Sequence, residues 1–355
     1  MKFFDRSILF INLIVVFATL LAYISPYIDP EFTWILSFFG LFYPLLLIAN
    51  LLFIIYWIFK KPKYIVVSVV CILVGWSQLM GFFNINFSGD IEVSKDAFEV
   101  MTYNISNASY GYDKKKKDRD VKKAALKEFL GEYTDIEILC FQEVGDYALE
   151  ILKATYPKYY FHNKDKGAVI LSKYPFKDKG EIDFGTITNS CLWADVKLPK
   201  ETVRIYSFHL QSNQISADAE KLAAQKEIDQ KKAWYDIKGM LRKFRNHHLQ
   251  RSHQVEKIAA HAEKSPYKLI MAGDLNDPPQ SYTYSVLADI GNDAYKIAGS
   301  GIGTTYGGKL PLLRIDYIFC DKQFTVIDYV SINKNYSDHY PVISTIDWPS
   351  IELTE

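Results

Sequence analysis

Three long apolar runs dominate the first quarter of the chain. They cover residues 7–24, 33–59 and 64–83, and none of them contains a charged residue. A helix needs roughly 20 apolar residues to cross a bilayer, and backbone polar groups in hydrocarbon must be hydrogen-bonded internally. The pattern therefore predicts a transmembrane region over residues 1–83 with three helices. A signal peptide or buried core helices are the alternatives, but two further runs follow the first at once.

Charged residues flank these runs unevenly. Lys2 and Arg6 precede the first run, and residues 60–63 supply three lysines between the second and third. Residues 25–32 carry two acids and no Lys or Arg. Because basic loops stay on the cytoplasmic side, the N-terminus is expected in the cytoplasm. Three crossings of the inner or plasma membrane then place the rest of the chain on the extracytoplasmic side.

After a polar linker at residues 84–97, the pattern changes to short runs rich in β-branched and aromatic residues. Strands are predicted at residues 98–103, 136–142, 168–172, 192–198, 203–210, 268–272, 315–320 and 325–332. Apolar periodicity predicts a helix at residues 120–133, and residues 215–263 favour two helices broken near 246–249. Strands with helices between some of them predict two packed β-sheets flanked by helices, an α/β sandwich, over residues 98–348.

Charge and cysteine content narrow the functional classes only slightly. The formal net charge is zero, which argues neither for nor against nucleic acid as a partner. The four cysteines are Cys71, Cys140, Cys191 and Cys320, and none forms a CxxC pair. We therefore expect free buried thiols and no zinc site.

Polar residues stand at the ends of several predicted strands, where a buried strand does not need them. They are Asn104, Glu143, His209, Asp274, Asn276, Asp316, Asp338 and His339. Each one alone has an ordinary interpretation as a turn residue, a solvated carboxylate, a helix cap or a core histidine. Together, amides, carboxylates and two histidines at strand ends are the groups that a hard divalent cation and acid–base chemistry require.

Six short blocks carry these residues in a fixed order. They are Thr102-Tyr103-Asn104, Phe141-Gln142-Glu143, Ser207-Phe208-His209-Leu210, Gly273-Asp274-Leu275-Asn276, Arg314-Ile315-Asp316-Tyr317 and Ser337-Asp338-His339-Tyr340-Pro341. Over residues 97–347 the chain thereby resembles the endonuclease/exonuclease/phosphatase superfamily, which includes deoxyribonucleases and neutral sphingomyelinases. The resemblance implies a four-layer α/β sandwich of two mixed sheets, with a phosphoester-hydrolysing site at one sheet edge.

The resemblance also implies where a metal ion binds. Glu143 is expected to be a direct ligand, since Mg²⁺ or Mn²⁺ favours carboxylate oxygen together with water. Asn104 is expected to help at the same site, and Asp338 to supply a second carboxylate on the metal side. Ser106 stands where some nuclease members carry an acid, so a second metal position on that side is not implied.

The catalytic roles follow from the same resemblance. Asp274 is expected to orient or activate the attacking water or to protonate the leaving group, and Asn276 to donate a hydrogen bond to a phosphoryl oxygen. His339 is expected to pair with Asp316, which fixes the imidazole tautomer and raises its basicity, and to act as a general base or as a phosphate stabiliser. His209 is expected to contact the scissile phosphate.

Two classes of substrate remain open at this stage: a nuclease or phosphodiesterase is expected first, and a lipid-linked phosphate hydrolase is the alternative. A nuclease acting on DNA or RNA accounts for basic residues at 114–123 and 242–253, although solvated helical faces explain them more simply. A lipid-linked phosphate, as in a sphingomyelinase or a polyprenyl-pyrophosphate phosphatase, accounts for the anchoring to the lipid bilayer. His209-Leu210-Gln211-Ser212 resembles the corresponding block of bacterial sphingomyelinases. A glycine-rich segment at 299–308 is expected to form a mobile loop over the site.

A catalytically inactive binding module is the remote alternative. The acids and histidines of the six blocks are all present in this chain, and a module that only binds has no need of the whole set. We therefore expect a membrane-anchored, divalent-metal-dependent phosphoester hydrolase.

Overall fold

The computed structural model describes residues 3–86, 93–109, 116–164, 167–186, 189–212, 230–308 and 312–349, with backbone alone at 116–120 and 230–233. The predicted helical residues 215–229 and the basic positions 114–115 lie outside this part. The chain forms two compact units. The first consists of Met1–Phe83, Ser212–His253 and Asp277–Ser285, and the second of Asn84–Gln211, Gln254–Asn276 and Val286–Glu355.

The apolar runs of the first unit form helices. These are α1 (Phe3–Ile24), α2 (Ile35–Leu41), α3 (Tyr43–Lys60), α4 (Ile65–Val74) and α5 (Trp76–Leu79). Within the described residues, two helical stretches are long and apolar enough to cross a membrane, Phe3–Tyr27 and Tyr43–Lys60. Of the three predicted crossing helices, two thus have the length and apolar composition that a crossing requires.

The second and third apolar runs are each divided by a break in the helix, and the third is left too short to qualify. The second run divides at Phe42, because Pro44 lies in the first turn of α3 and cannot donate a hydrogen bond to a preceding turn. The third run divides at Gly75, which leaves the helical conformation between α4 and α5. A Cβ atom on Gly75 would lie 1.9 Å from the Tyr23 ring, so this close contact requires glycine.

The helices of the first unit bury several polar side chains within a largely apolar interior, and they expose mainly apolar side chains. The Asn12 amide donates to Ser68 Oγ at 2.9 Å, and Trp57 Nε1 donates to Asn12 Oδ1 at 3.0 Å. Phe17 is 63% exposed and Phe59 is 80% exposed. Buried interhelical hydrogen bonds beneath an exposed apolar surface are typical of helices that pack in lipid.

The second unit is built on two six-stranded sheets. Its strands, with the short β1, are β1 (Phe83–Asn84), β2 (Phe98–Asn104), β3 (Ile138–Val144), β4 (Tyr160–Asn163), β5 (Gly167–Ser172), β6 (Phe176–Ile182), β7 (Ser190–Lys197), β8 (Thr202–His209), β9 (Leu269–Asp274), β10 (Gly291–Asp293), β11 (Gly301–Ile302), β12 (Asp316–Asp321), β13 (Thr325–Ser331) and β14 (Val342–Asp347). The strand orders are β13-β14-β2-β3-β5-β4 and β10-β12-β9-β8-β7-β6. The two-sheet α/β sandwich expected from the sequence is confirmed.

The main core lies between the two sheets. Val100, Ile138 and Ile170 of one sheet pack in a single buried cluster with Ile205 and Ile270 of the other. The neighbouring strands β2 and β3 are parallel, as are β8 and β9. The other strand pairs of these sheets are antiparallel. Both sheets are therefore mixed, as the resemblance implies.

The remaining helices are α6 (Lys116–Gly131), α7 (Asp146–Thr155), α8 (Gln230–Ala262), α9 (Tyr282–Ile290) and α10 (Ala294–Ala298). The helix α8 runs without interruption through residues 246–249, so the predicted break is wrong. Its packing face continues across these positions with the buried side chains of Phe244, His248 and Arg251. All four cysteines are free and buried, as expected.

Candidate active site

The sheet registers bring the predicted polar residues to one edge of the sandwich. In the parallel pair β2–β3, Asn104 lies opposite Gln142, one residue before Glu143. In the parallel pair β8–β9, His209 lies opposite Asp274. Parallel neighbours end at the same edge of a sheet, so the carboxyl ends of four strands deliver their polar side chains to a common place.

Asp274 is the central residue of this group. Its side chain is fully buried. Oδ1 accepts the backbone N–H of Asn276 at 2.7 Å, and Oδ2 accepts the Asn104 amide at 3.0 Å. The Nε2 atoms of His209 and His339 each lie 3.7 Å from the same Oδ2. Two histidines therefore converge on one carboxylate oxygen.

Asp316 and His339 form a buried pair, as the sequence predicts. Asp316 lies opposite Asp274 in the antiparallel pair β12–β9. His339 Nδ1 lies 3.0 Å from Asp316 Oδ2, which leaves Nε2 directed at Asp274. This arrangement fixes the ring orientation in the way that a carboxylate–histidine pair does in many hydrolases.

The pKa values of both members of this pair are raised, that of Asp316 by burial and that of His339 by neighbouring carboxylates. Burial opposes a charged imidazole, but the carboxylates of Asp316 and Asp274 outweigh it and raise the pKa of His339 to about 10. Burial raises the pKa of Asp316 to about 6, while the charge of His339 limits that rise. At neutral pH the pair is an imidazolium beside a carboxylate, so His339 Nε2 is a hydrogen-bond donor.

Glu143, Asn104 and His209 occupy the neighbouring part of the site. The Asn104 amide donates to Glu143 Oε1 at 3.2 Å, and His209 Nε2 lies 3.5 Å from the same oxygen. The Glu143 side chain is 40% exposed, whereas that of His209 is 6% exposed. Glu143 thus lies at the mouth of the site with carboxylate oxygen facing solvent.

Both ring nitrogens of His209 are buried and have no hydrogen-bond partner within the described residues. A buried polar atom without a partner is expensive and uncommon. At an edge where three carboxylates and two amides converge, this indicates that a group from outside the protein completes the site. A phosphate or a metal-bound water has the oxygen that such a nitrogen would contact.

Asp338 and Asn276 are placed differently from the other predicted residues. The Asp338 carboxylate accepts the Ser337 hydroxyl at 3.3 Å, and its charge contributes to the raised pKa of His339. The Asn276 amide donates to Leu210 O at 2.9 Å and to Asp274 Oδ2 at 3.3 Å. This geometry supports a positioning role for Asn276, which holds Asp274.

Backbone strain is concentrated at the same edge. Glu143 and Asn276 both have φ of 54°, which is the left-handed region that non-glycine residues avoid. Such strain persists where the surrounding structure fixes it and is frequent in active sites. At Gly273 a Cβ atom would lie 2.1 Å from Phe208 O, so glycine allows β8 and β9 to approach closely beside Asp274.

The residues present fit a hard divalent cation. The carboxylates of Asp274 and Asp316 and the ring of His339 offer ligand atoms within 4.8 Å of one another. In that cluster, however, the Asp316 carboxylate is already paired with His339 Nδ1. Glu143 and Asn104 offer a carboxylate and an amide at the open side, the oxygen ligands that Mg²⁺ and Mn²⁺ prefer.

Sequence reasoning missed the residues that hold this site in place. Thr305 Oγ1 accepts the backbone N–H groups of Ile315 and Asp316, each at 3.0 Å. Asn107 Oδ1 accepts the backbone N–H of Gly145 at 3.0 Å, two residues after Glu143. Thr305 lies in the glycine-rich segment that was expected to be mobile, yet it is fully buried. A lone threonine or asparagine in a loop gives no signal in the sequence.

Comparison with known proteins agrees with this geometry. The model of the endonuclease/exonuclease/phosphatase family matches residues 101–339. Residues 5–82 match a family described as a domain of unknown function. No curated protein sequence matches the chain.

Solved structures share the fold at low sequence identity. A humanized D. rerio TDP2 with 14 mutations is 17% identical over 71% of this chain and 100% of its own, with a TM-score of 0.51. The mannosyl-6-phosphatase of Bacteroides thetaiotaomicron has the same identity, coverage and TM-score. A family protein from the same organism is 16% identical over 74% of this chain and 99% of its own, with a TM-score of 0.51.

The family match covers more than half of the chain. It includes five of the six signature blocks entirely and the sixth as far as His339. The described structure has the two-sheet sandwich of the similar solved proteins, and its acidic and histidine side chains meet at one sheet edge. The chain therefore belongs to the endonuclease/exonuclease/phosphatase family.

Proposed function

We propose that this protein is a divalent-metal-dependent phosphoester hydrolase. The observation that carries the proposal is the convergence of two histidine Nε2 atoms on Asp274 Oδ2, each at 3.7 Å. A carboxylate between two imidazoles and beside a carboxylate–amide pair can accept a proton from water. It can also stabilise negative charge on a phosphoryl oxygen through the two rings.

Each residue has a role that follows from its contacts. Asp274, buried and held by Asn104 and Asn276, orients a water and accepts its proton. His339, kept protonated by Asp316, donates a hydrogen bond to a phosphoryl oxygen. His209 provides a second contact to the same phosphate.

Glu143 and Asn104 are the residues that would hold Mg²⁺ or Mn²⁺, and Asp338 is the further carboxylate that the resemblance assigns to the metal. The bound cation would supply neutralisation of the charge that develops on the phosphoryl oxygens. Glu143 Oε1 is kept in position by the Asn104 amide at 3.2 Å. This places the candidate ligand at the open side of the site, next to the His209 ring.

Hydrolysis by the full-length protein in detergent or nanodiscs tests the proposal. The substrates are plasmid DNA, RNA, sphingomyelin and a polyprenyl pyrophosphate, each with and without Mg²⁺. We expect Asp274→Asn and His339→Asn each to lower kcat by about 1,000-fold or more, and Asp289→Asn, which is exposed, to have no effect. Metal-independent hydrolysis, or full activity of Asp274→Asn, would overturn the proposal.

We further propose that the first unit anchors the protein in a lipid bilayer. Its two long apolar helices are each only 22% buried over their most apolar stretch, whereas a core helix of a soluble protein is mostly buried. We propose that the shorter apolar helix Pro62–Val74 supplies a third crossing. With the basic flanks kept in the cytoplasm, three crossings put the N-terminus inside and the catalytic unit on the outer side. A C-terminal phosphatase reporter that is inactive, beside an active cytoplasmic reporter at the same position, would contradict this orientation.

A lipid-linked phosphate is favoured over nucleic acid as the substrate. Asp277 follows Asn276 directly in the chain, and Asp277–Ser285 belongs to the unit of apolar helices. Within that unit, Gln280 Nε2 donates to Gln78 O at 2.9 Å, and Ser285 Oγ donates to Pro26 O at 2.6 Å. A segment of the proposed anchoring unit that follows the site residue Asn276 directly in the chain suits a substrate that is itself held in a bilayer.

The same substrate panel decides between the two classes. Release of phosphate or head group from a lipid, without cleavage of DNA or RNA, would assign the enzyme to lipid-linked phosphates. Cleavage of nucleic acid alone would make it a membrane-anchored nuclease, and the anchor a simple tether.

A further inference from the structure

The N-terminal half of α8, residues 234–246, presents an exposed basic and aromatic face. Trp234, Lys238, Arg242 and Arg245 recur at intervals of three and four residues, so they share one side of the helix. All four are exposed. The Lys238 ammonium lies 5.3 Å from the centroid of the Trp234 ring, which joins a charged and an apolar group in one patch.

Charge on this half of the helix is strongly one-sided. Between residues 234 and 246 the sequence contains four Lys or Arg side chains, Lys238, Arg242, Lys243 and Arg245, whereas it contains a single acid, Asp236. Asp236 lies two residues after Trp234 and thus on another side of the helix. Tyr235 lies beside the patch and is 73% exposed.

The opposite side of the same helical half packs within the unit of apolar helices. The buried Phe244 ring lies 6.1 Å from the Trp34 ring and 5.8 Å from the Phe38 ring, both edge-on. Further along the helix, His253 Nε2 lies 2.6 Å from Glu31 Oε1. These partners belong to the loop and short helix between the two long apolar helices.

With the two long apolar helices crossing a bilayer, as proposed above, that loop lies at one of the two membrane surfaces. It follows the end of one long apolar helix and precedes the other. Its exposed aromatic residues, Tyr27 at 72% and Phe32 at 86%, match the belts of Tyr and Trp that mark the boundary between hydrocarbon and head groups. The helical half that packs on this loop therefore lies at the level of the head groups.

We propose that the face formed by Trp234, Lys238, Arg242 and Arg245 binds anionic lipid head groups. Basic side chains near a bilayer gain favourable energy from an anionic surface, and an exposed Trp beside them suits the interfacial region. The proposal rests on the proposed anchoring of the chain in a membrane but not on the hydrolytic reaction. It gives the helix a partner of defined chemistry, a negatively charged bilayer surface.

Hydrogen exchange of the full-length protein in nanodiscs tests this proposal. One set of nanodiscs contains phosphatidylcholine alone, and in the other part of it is replaced by phosphatidylglycerol. We expect amides of residues 234–246 to exchange on the order of tenfold more slowly in the anionic nanodiscs, because bound head groups oppose local opening. High salt is expected to reduce the difference.

Charge reversal provides the matched comparison. The triple variant K238E/R242E/R245E is expected to lose the lipid-dependent slowing. The triple variant K153E/K158E/K197E, which changes the charge equally at exposed lysines of the second unit, is expected to retain it. Unchanged exchange in all other segments shows that both variants are folded.

Three results would overturn the proposal. One is equal exchange of the wild type in both kinds of nanodisc, and another is slowing that survives the K238E/R242E/R245E reversal. The third is slowing by added single-stranded DNA without any effect of phosphatidylglycerol, which would assign the face to nucleic acid. Hydrolysis by the wild type is measured in the same samples. If the wild type shows the lipid-dependent slowing of amide exchange but hydrolyses no substrate, the result counts against the proposed reaction alone.

Discussion

At the scale of single residues, the site depends on how one buried carboxylate is held. Asp274 receives the Asn104 amide and the Asn276 backbone N–H, so its oxygens are fixed before any substrate arrives. Preorganised groups of this kind need no rearrangement during the reaction, which is the main source of electrostatic stabilisation in enzymes. His339 is fixed in the same way by Asp316.

The protonation of His339 gives a prediction about pH. Its carboxylate neighbours raise its pKa to about 10, so activity that needs the imidazolium should fall only as pH rises through that value. Asp316→Asn removes the largest of the raising charges and should move the alkaline limb of the pH–rate profile to lower pH, toward the ordinary value of about 6.5. An alkaline limb that stays in place in Asp316→Asn would contradict this role.

Glu143 gives a prediction about the metal. Glu143→Gln keeps the shape of the side chain but removes its charge, so we expect the Mg²⁺ concentration for half-maximal activity to rise by at least about tenfold. Glu132→Gln, at an exposed position, is the control. The test is the activity of each variant as a function of Mg²⁺ concentration. An unchanged Mg²⁺ requirement in Glu143→Gln would exclude Glu143 as a ligand.

At the scale of elements, the loop before β12 connects the two parts of the Asp316–His339 dyad: Asp316 at the start of β12 and His339 in the segment before β14. Thr305 Oγ1 accepts from the backbone of Asp316, and Thr305 O accepts the backbone N–H of Tyr340 at 2.7 Å. The backbone N–H of Gly307 donates to Asp338 O at 2.7 Å. This short segment therefore ties both flanks of His339 to Asp316.

Removing the Thr305 hydroxyl should loosen the dyad. Thr305→Val keeps the volume but leaves two buried N–H groups without their acceptor, and we expect kcat to fall by about tenfold or more. Thr305→Ser retains the hydroxyl and should restore most of the activity. If the two variants have the same kcat and the same pH–rate profile, the hydroxyl does not position Asp316.

The contact between β8 and β9 gives a prediction about stability. Gly273→Ala would place a Cβ atom 2.1 Å from Phe208 O, so the strands must separate, at a cost of about 2 kcal/mol or more. Gly131→Ala is the control, because no atom lies within 4 Å of the added Cβ. The test is the Tm of both variants, measured by thermal unfolding in detergent. An unchanged Tm for Gly273→Ala would contradict the prediction.

At the scale of the whole molecule, the first compact unit is assembled from three separate parts of the chain. Residues 212–253 and 277–285 belong to it although they lie far from the apolar helices in sequence. Arg251 and Asp277 are both fully buried there, with Arg251 Nε donating to Asp277 Oδ2 at 2.8 Å. Removing one partner of such a buried ion pair leaves the charge of the other partner buried and uncompensated.

Removal of residues 1–83 should therefore damage more than membrane attachment. The truncated protein would expose Phe244, which packs on Trp34 and Phe38 in the first unit. We expect it to aggregate, or to unfold at a lower temperature than the full-length protein in detergent. Size-exclusion chromatography and thermal unfolding check this, and a monomeric fragment of undiminished Tm would show that residues 84–355 fold independently.

The sequence predicted the inner strands except β14, and of the four edge strands it predicted only β13. Buried strands such as β3 and β9 appear as continuous apolar runs, because both of their faces are covered. The edge strand β6 has the sequence FKDKGEI and is largely exposed, so it shows neither a continuous apolar run nor the alternation of a half-buried strand. The charges on β6 are typical of an edge that must not pair with another molecule.

The sequence by itself determined which residues are available for chemistry and roughly where strands end, because a polar residue closing an apolar run is visible without coordinates. It also determined that the first 83 residues are apolar enough to enter a membrane. Only the tertiary structure decided that Asp274 lies between two imidazoles, that Thr305 supports Asp316, and that residues 234–246 pack with the apolar helices. Those relations depend on strand register and on long-range packing, which local patterns do not encode.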